Sequence, residues 1–187
     1  MEHGYSGTST REIARRARVS KRELYALFDG KEAILAAMIA GRAVRMRQPL
    51  ALPAVTDRAT LAEVLQQFGG ALLREGSNPA VMAIFRLAIA EAERAPDLAR
   101  RLDEDGRRPT RAALIDLLAR ARAHALLEGT DLEAMASQFF ALLWVDLQLG
   151  LLLRLAAPPS AGAIERRAVA AVAAFLALYP APATTGE

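Results

Sequence analysis

The side chains best equipped for chemistry in this sequence are cations. Between residues 1 and 47 stand Arg11, Arg15, Arg16, Arg18, Lys21, Arg22, Lys31, Arg42, Arg45 and Arg47, ten basic groups against five acidic ones. Residues 48–187 carry 14 basic against 16 acidic side chains, so the net charge of +3 over 187 residues conceals an N-terminal excess. Such a cluster suits recognition of a polyanion, although an Arg-rich, Ala-rich composition can also arise from codon bias.

Covalent and metal chemistry find little support. There is no cysteine, which removes disulfides, zinc–thiolate sites and thiol nucleophiles. His3 and His124 lie far apart, no glycine-rich phosphate loop follows a strand pattern, and no histidine pair has metal-ligand spacing. No catalytic residue, metal or cofactor is therefore expected, and His124 reads as an exposed or helix-end side chain. The longest uncharged apolar runs, Ala134–Val145 and Ala168–Tyr179, are 12 residues each. A bilayer span needs roughly 20. With no charged-then-apolar leader after Met1, the expectation is a cytoplasmic protein without membrane contact.

The elements that must position the cations are helices. Apolar residues recur at spacings of three and four nearly throughout, which predicts an all-α fold. Ser9–Glu12 and Ser20–Glu23 each have the serine and third-position glutamate that mutually satisfy free backbone amides. They predict short helices to about Ala17 and Phe28, after which Asp29-Gly30 turns into a longer helix, Lys31 to about Met46. Beyond a Pro49–Pro53 hinge, Asp57 or Thr60 caps a helix with Leu61, Val64, Leu65, Phe68 and Leu72 on one face, ended by Gly76. Asn78-Pro79 opens a helix to about Arg94, and Pro96 and Gly106 bracket a short charged one. Pro109 begins a helix to about Leu127, closed by Gly129. Thr130–Glu133 predicts a capping box and one helix to about Leu155. A last helix follows Pro158-Pro159-Ser160 and stops before Pro180.

Two short helices joined by Arg18 and Val19, then a longer one, form the skeleton of a helix-turn-helix. Ile13, Ala14, Ala17, Val19, Leu24 and Phe28 occupy the inward positions, while Lys21, Arg22, Tyr25 and Ala26 face outward. Gly4-Tyr5, Thr8–Ala14, Val19–Phe28 and Lys31–Leu35 together resemble the DNA-binding signature of TetR/AcrR-type repressors. The resemblance implies that the second helix enters the major groove with Lys21 and Arg22 near base edges or phosphates. It assigns Thr8, Thr10, Arg11, Tyr25 and Lys31 to phosphates, with the free amides at Ser9 and Lys31 adding anion-binding capacity. Two departures stand out. Arg18 replaces the family's turn glycine, so a positive φ there costs about 1 kcal/mol unless the turn is reshaped, and Arg18 can offset this by touching phosphate. The family also places a helix before the Gly-Tyr pair, where only Met1-Glu2-His3 precede Gly4, so the head is read as truncated, its first helix missing or encoded upstream.

Arg86–Arg100, Gln138–Leu143 and Trp144–Leu147 are similar to the C-terminal domain of the AefR-like branch of that family. Ligand-pocket candidates are Phe68, Met82, Phe85, Ile89, Phe139, Leu143 and Trp144, with Arg86 and Gln138 as polar handles, and for each of them plain core is the weightier reading. The implied effector is a small apolar or amphipathic molecule. Independently, Met135–Leu155 is apolar around nearly its whole circumference and the last helix carries Ile164, Ala168, Val169, Val172, Phe175 and Tyr179. These two helices predict a four-helix interface in a homodimer.

The reading is thus a helix-turn-helix domain over 1–47, a helical effector-binding and dimerisation bundle over 48–180, and a flexible tail over 181–187. Its function is that of a ligand-responsive repressor bound as a homodimer to a palindromic double-stranded DNA operator. The rivals are a helical dimer that binds ligand or protein without DNA, and an enzyme, for which no nucleophile, base or metal cage is evident.

Overall fold

The computed structural model describes residues 14–15, 18–51, 55–94 and 96–182, and of Lys21, Leu24 and Lys31 it describes the backbone alone. Among the described residues all regular structure is helical. Ala14 and Arg15 are helical, followed by α1 (Lys21–Leu27), α2 (Lys31–Arg47) and a 3-10 turn, Gln48–Ala51. Then come α3 (Arg58–Gly76), α4 (Pro79–Ala90), α5 (Pro96–Arg101), a π-helical segment Leu102–Arg107 and α6 (Arg108–Ala123). The chain ends with α7 (Leu132–Trp144), α8 (Leu147–Leu152) and α9 (Ala161–Leu178). No described helix is long and apolar enough to cross a membrane.

Local chemistry starts these helices. The Asp57 carboxylate accepts from Thr60 N–H at 2.7 Å while the Thr60 hydroxyl accepts from Asp57 N–H at 3.2 Å, a complete capping box. Asn78 Oδ1 accepts from Ala80 N–H and Ser160 Oγ from Ala163 N–H. These bonds occupy helix-end amides that would otherwise be unpaired.

The core is built around α3. Leu61, Leu65, Phe68 and Leu72 pack with Ile164, Ala168, Val172 and Phe175 of α9 and with Phe139 and Leu143 of α7, and Leu114, Leu117 and Leu118 of α6 belong to the same cluster. The Phe139 ring sits 5.9 Å from Phe68 and 5.5 Å from Phe175, centroid to centroid. Each such side chain contributes about 1.5–3 kcal/mol by leaving water. Arg58 closes the bundle by donating to the carbonyls of Leu126, Leu176 and Tyr179. A second cluster, Leu35, Ile39 and Ile84 with Met38, Leu98 and Leu102, fastens α2 to α4, α5 and the π segment. The long helix of the head is therefore also a wall of the larger region.

Several element boundaries differ from the sequence reading. The helix expected to run to about Leu155 breaks at Val145, which adopts φ 44°, ψ −115° between α7 and α8. A β-branched residue there is strained. Arg167 offsets part of the cost by donating to the Trp144 carbonyl at 3.1 Å. The cap of α7 is Asp131, which accepts from Ala134 N–H at 2.9 Å, rather than Thr130. Gly106 does not separate two helices: α5, the π segment and α6 are continuous. Arg108 N–H reaches back five residues to Asp103 O, and the widened turn accommodates Pro109, which has no N–H to donate. α4 ends at Ala90, short of Arg94, and α6 at Ala123, short of Leu127. In the second case Ala125 at φ 54° reverses the chain so that Leu127 is buried. His124 is the exposed C-cap of α6.

The largest correction concerns α9. Ile164, Ala168, Val172 and Phe175 are spent on the chain's own core. They are buried against α3 and cannot form the expected stripe facing a partner.

Candidate nucleic-acid interface and cavity

The turn before α1 is built by hydrogen bonds that a sequence can only suggest. Val19 N–H donates to Ala14 O at 3.1 Å and Arg18 N–H to Arg15 O at 3.3 Å, the paired reversed bonds of a Schellman motif. Arg18 occupies its left-handed position at φ 57° and is exposed. The turn keeps its glycine-like shape and is not remodelled around arginine. Val19, expected inward, is 40% exposed, because the position after the left-handed residue places it on the rim of the turn.

Ser20 then caps α1. Its N–H donates to Glu23 Oε2 at 2.7 Å, and Glu23 N–H donates to Ser20 Oγ at 3.1 Å. Hydrogen bonding from Ser20, its backbone N–H first and its side chain second, holds the Glu23 carboxyl below its ordinary pKa. The glutamate is thereby committed to the cap. Arg22, Tyr25 and Ala26 are exposed on α1, and Lys21 is its first residue. Lys31 opens α2 after Gly30, whose φ of 138° only glycine adopts freely and which supplies no side-chain cap. Amides at that helix start remain suited to an anion. Thr8, Thr10 and Arg11 lie outside the described residues.

A cavity of about 400 Å³ lies against α2. Its walls are Met38, Ile39, Arg42, Ala43 and Met46 of α2, the end of α3, Val81, Met82, Ile84 and Phe85 of α4, and Leu102, Gly106 and Arg107 of the π segment. Thr110 and Arg111 of α6 and Ser137, Phe140 and Trp144 of α7 complete it, with Gln148 of α8. Of the residues singled out from sequence, Met82, Phe85 and Trp144 line it. Phe68, Phe139 and Leu143 are fully buried in the core instead. Arg86 donates to Leu151 O at 3.1 Å, Ile89 is exposed, and Gln138 accepts from the Tyr179 hydroxyl. The contribution of α2 and the π segment was not legible locally, since their apolar faces read as ordinary packing.

Glu75, at the end of α3, joins α2 to the larger region. It accepts from Arg42 at 2.9 Å and from Arg45 at 3.0 Å. The hydrogen bond from Arg45 is the main cause of a carboxyl pKa below its usual value, and burial opposes it. Arg42 Nε is buried with no hydrogen-bond partner among the described residues.

Comparison with known proteins assigns this architecture. Residues 1–38 match the model of bacterial regulatory proteins, tetR family, and residues 63–181 that of the AefR-like transcriptional repressor C-terminal domain. Among solved structures, the flavonoid-responsive regulator FrrA is 34% identical with a TM-score of 0.69, covering 97% of this chain and 91% of that one. A TetR transcriptional regulator from Agrobacterium tumefaciens is 32% identical with a TM-score of 0.72, covering 93% and 84%. A TetR-family transcriptional regulator from Mesorhizobium loti MAFF303099 is 26% identical with a TM-score of 0.72, covering 95% and 89%. No curated protein sequence matches. With family models matched over both its head and its larger region, the chain belongs to the TetR family of DNA-binding transcriptional regulators.

Proposed function

We propose that this regulator is a cytoplasmic, ligand-responsive repressor that binds a palindromic operator as a homodimer, with the DNA-binding domain over 1–47 and the effector and dimerisation domain over 48–180. The observation that carries the reading is the cavity of about 400 Å³ walled by α2, the same helix whose start follows α1. A small apolar or amphipathic molecule seated there favours whichever placement of α2 it contacts best, and so biases the spacing of two heads on DNA. The relative named as a flavonoid-responsive regulator supports a planar aromatic effector of that size.

Dimerisation is supported by apolar side chains left in solvent. Val145 at the break before α8, Leu149 within it and Leu153 at its end are exposed, with Leu155 beyond them and Val169 and Leu178 exposed on α9. A partner covering this surface explains why it is apolar. On DNA, Lys21 and Arg22 face the groove, while Arg18, Tyr25 and Lys31, with Thr8, Thr10 and Arg11, meet phosphates.

A gel shift with DNA flanking the gene tests the reading. A specific, salt-sensitive shift, lost on Lys21→Ala together with Tyr25→Ala and reversed by a cavity-binding aromatic compound, is expected. A dimer that binds no flanking DNA would reject it.

A further inference from the structure

Resting on the reading of the cavity as the effector site, we propose that its occupant is an anionic amphiphile, an apolar ring-bearing or chain-bearing body carrying one carboxylate, sulfonate or phenolate. The apolar part is accommodated by Met38, Met82, Phe85, Phe140 and Trp144. The charged side chains on the walls are Arg42, Arg107 and Arg111, and no carboxylate is among the lining residues.

The carboxylates behind these arginines do not balance them. Glu75 is shared by Arg42 and Arg45, Asp103 by Arg107 and Arg108, and Glu133 serves Arg111. Within this set five guanidinium groups face three carboxylates. The neutral hydroxyls are already committed as donors: Thr110 Oγ1 donates to Gly106 O at 2.7 Å and Ser137 Oγ to Glu133 O at 2.9 Å. Guanidinium groups are thus the charged donors that the cavity offers an incoming acceptor, beside the neutral N–H groups of Gln148 and Trp144. A neutral apolar ligand leaves the surplus of guanidinium charge unanswered. An anion accepts from these groups with charge-assisted bonds, the geometry for which guanidinium is best suited.

Two probes with the same rings separate charge from apolar fit: 1-anilinonaphthalene-8-sulfonate and its uncharged parent, N-phenyl-1-naphthylamine. Both are titrated into the full chain, read by their own emission and by quenching of Trp144, the single tryptophan. The sulfonate is expected to bind at least about tenfold more tightly. That preference should shrink below threefold in Arg107→Gln combined with Arg111→Gln, with affinity for the uncharged probe retained. Arg107→Gln alone, which disturbs only an exposed pair with Asp103, should lose part of it and guards against misfolding of the double variant. Ala43→Phe, which fills the cavity, should abolish both. Equal affinity of the two probes, or a preference that survives the arginine substitutions, overturns the anionic assignment and leaves the effector cavity standing. Failure of both probes to quench Trp144, or binding indifferent to Ala43→Phe, overturns the cavity reading itself.

Discussion

The Trp144 indole lies on the backbone of Gly76, so close that a Cβ on Gly76 would stand 2.7 Å from two ring atoms. Backbone on one side and the cavity on the other fix the ring as a movable wall. Gly76→Ala is therefore expected to push the indole into the cavity. Tryptophan emission should shift and affinity for an aromatic probe should fall about tenfold or more, with helix content by circular dichroism unchanged. Unchanged emission and affinity together would mean that the ring has room elsewhere.

Glu75 holds α2 to α3 through Arg42 and Arg45, and its carboxyl pKa is lowered in the folded chain from the usual value of 4.5. A group whose pKa falls on folding contributes stability above its unfolded pKa and loses it as pH drops through the folded one. Glu75→Gln should accordingly cost about 1 kcal/mol at pH 7, as expected for a partly buried ion-pair set with one exposed member. The gap between the two proteins should close as pH falls below 4.5. Thermal melts of both proteins from pH 7 to pH 3 check this, and a gap that widened in acid would contradict the assignment.

The signals that could be read from the chain were local ones. Ser20 with Glu23, Asp57 with Thr60 and Asn78 with Pro79 satisfy backbone groups within three residues, so their positions follow from neighbours alone. Val145 carries no such mark. It is a strand-favouring residue without glycine or proline beside it, and the Trp144 carbonyl before the break is met by Arg167 arriving from α9. Periodicity likewise gave α9 an apolar stripe but not its destination, and Ile164 and Phe175 turn toward α3 rather than a partner. The cavity is the extreme case. Met38, Arg42 and Arg107 come together only through tertiary packing, and the π segment that presents Arg107 has no sequence signature as plain as a cap.

Arg18 sets two effects against each other. In the left-handed region at φ 57° it costs about 1 kcal/mol relative to glycine, while its exposed guanidinium adds charge beside α1. Arg18→Gly should raise the melting temperature of the head, yet weaken operator binding and reduce the slope of log affinity against log salt by about one. Gain of stability without any change in the salt slope would remove Arg18 from the interface.

Ser20 acts only through α1. Ser20→Ala removes the acceptor for Glu23 N–H but keeps the backbone N–H that donates to the Glu23 carboxylate, at a cost of about 1 kcal/mol. Seven residues are too few for a helix to persist on propensity alone, so fraying should lower operator affinity several-fold. The melting of the larger region, whose core does not include Ser20, should not move. Ser20→Asp, which also caps, should restore binding in part, an outcome that simple loss of a phosphate contact would not give.

Leu149 of α8 and Leu153, its C-cap, are exposed four residues apart, and Val145 is exposed at the break before α8. Inside one subunit they gain little from burial, so replacing them should leave the fold intact. Within a dimer of ordinary size, about 2,000 Å² of buried surface, they would be among the desolvated anchors. Leu149→Glu with Leu153→Glu places four carboxylates across a two-fold interface, where like charges in a dry contact repel strongly. The variant is expected to run as a monomer of about 20.1 kDa by light scattering at micromolar concentration, against twice that mass for the parent. Operator affinity should collapse with it, since one head contacts only a half-site. If the parent is itself monomeric, or the variant remains dimeric, the exposed leucines serve some other contact and the paired-head geometry must be rebuilt on a different face.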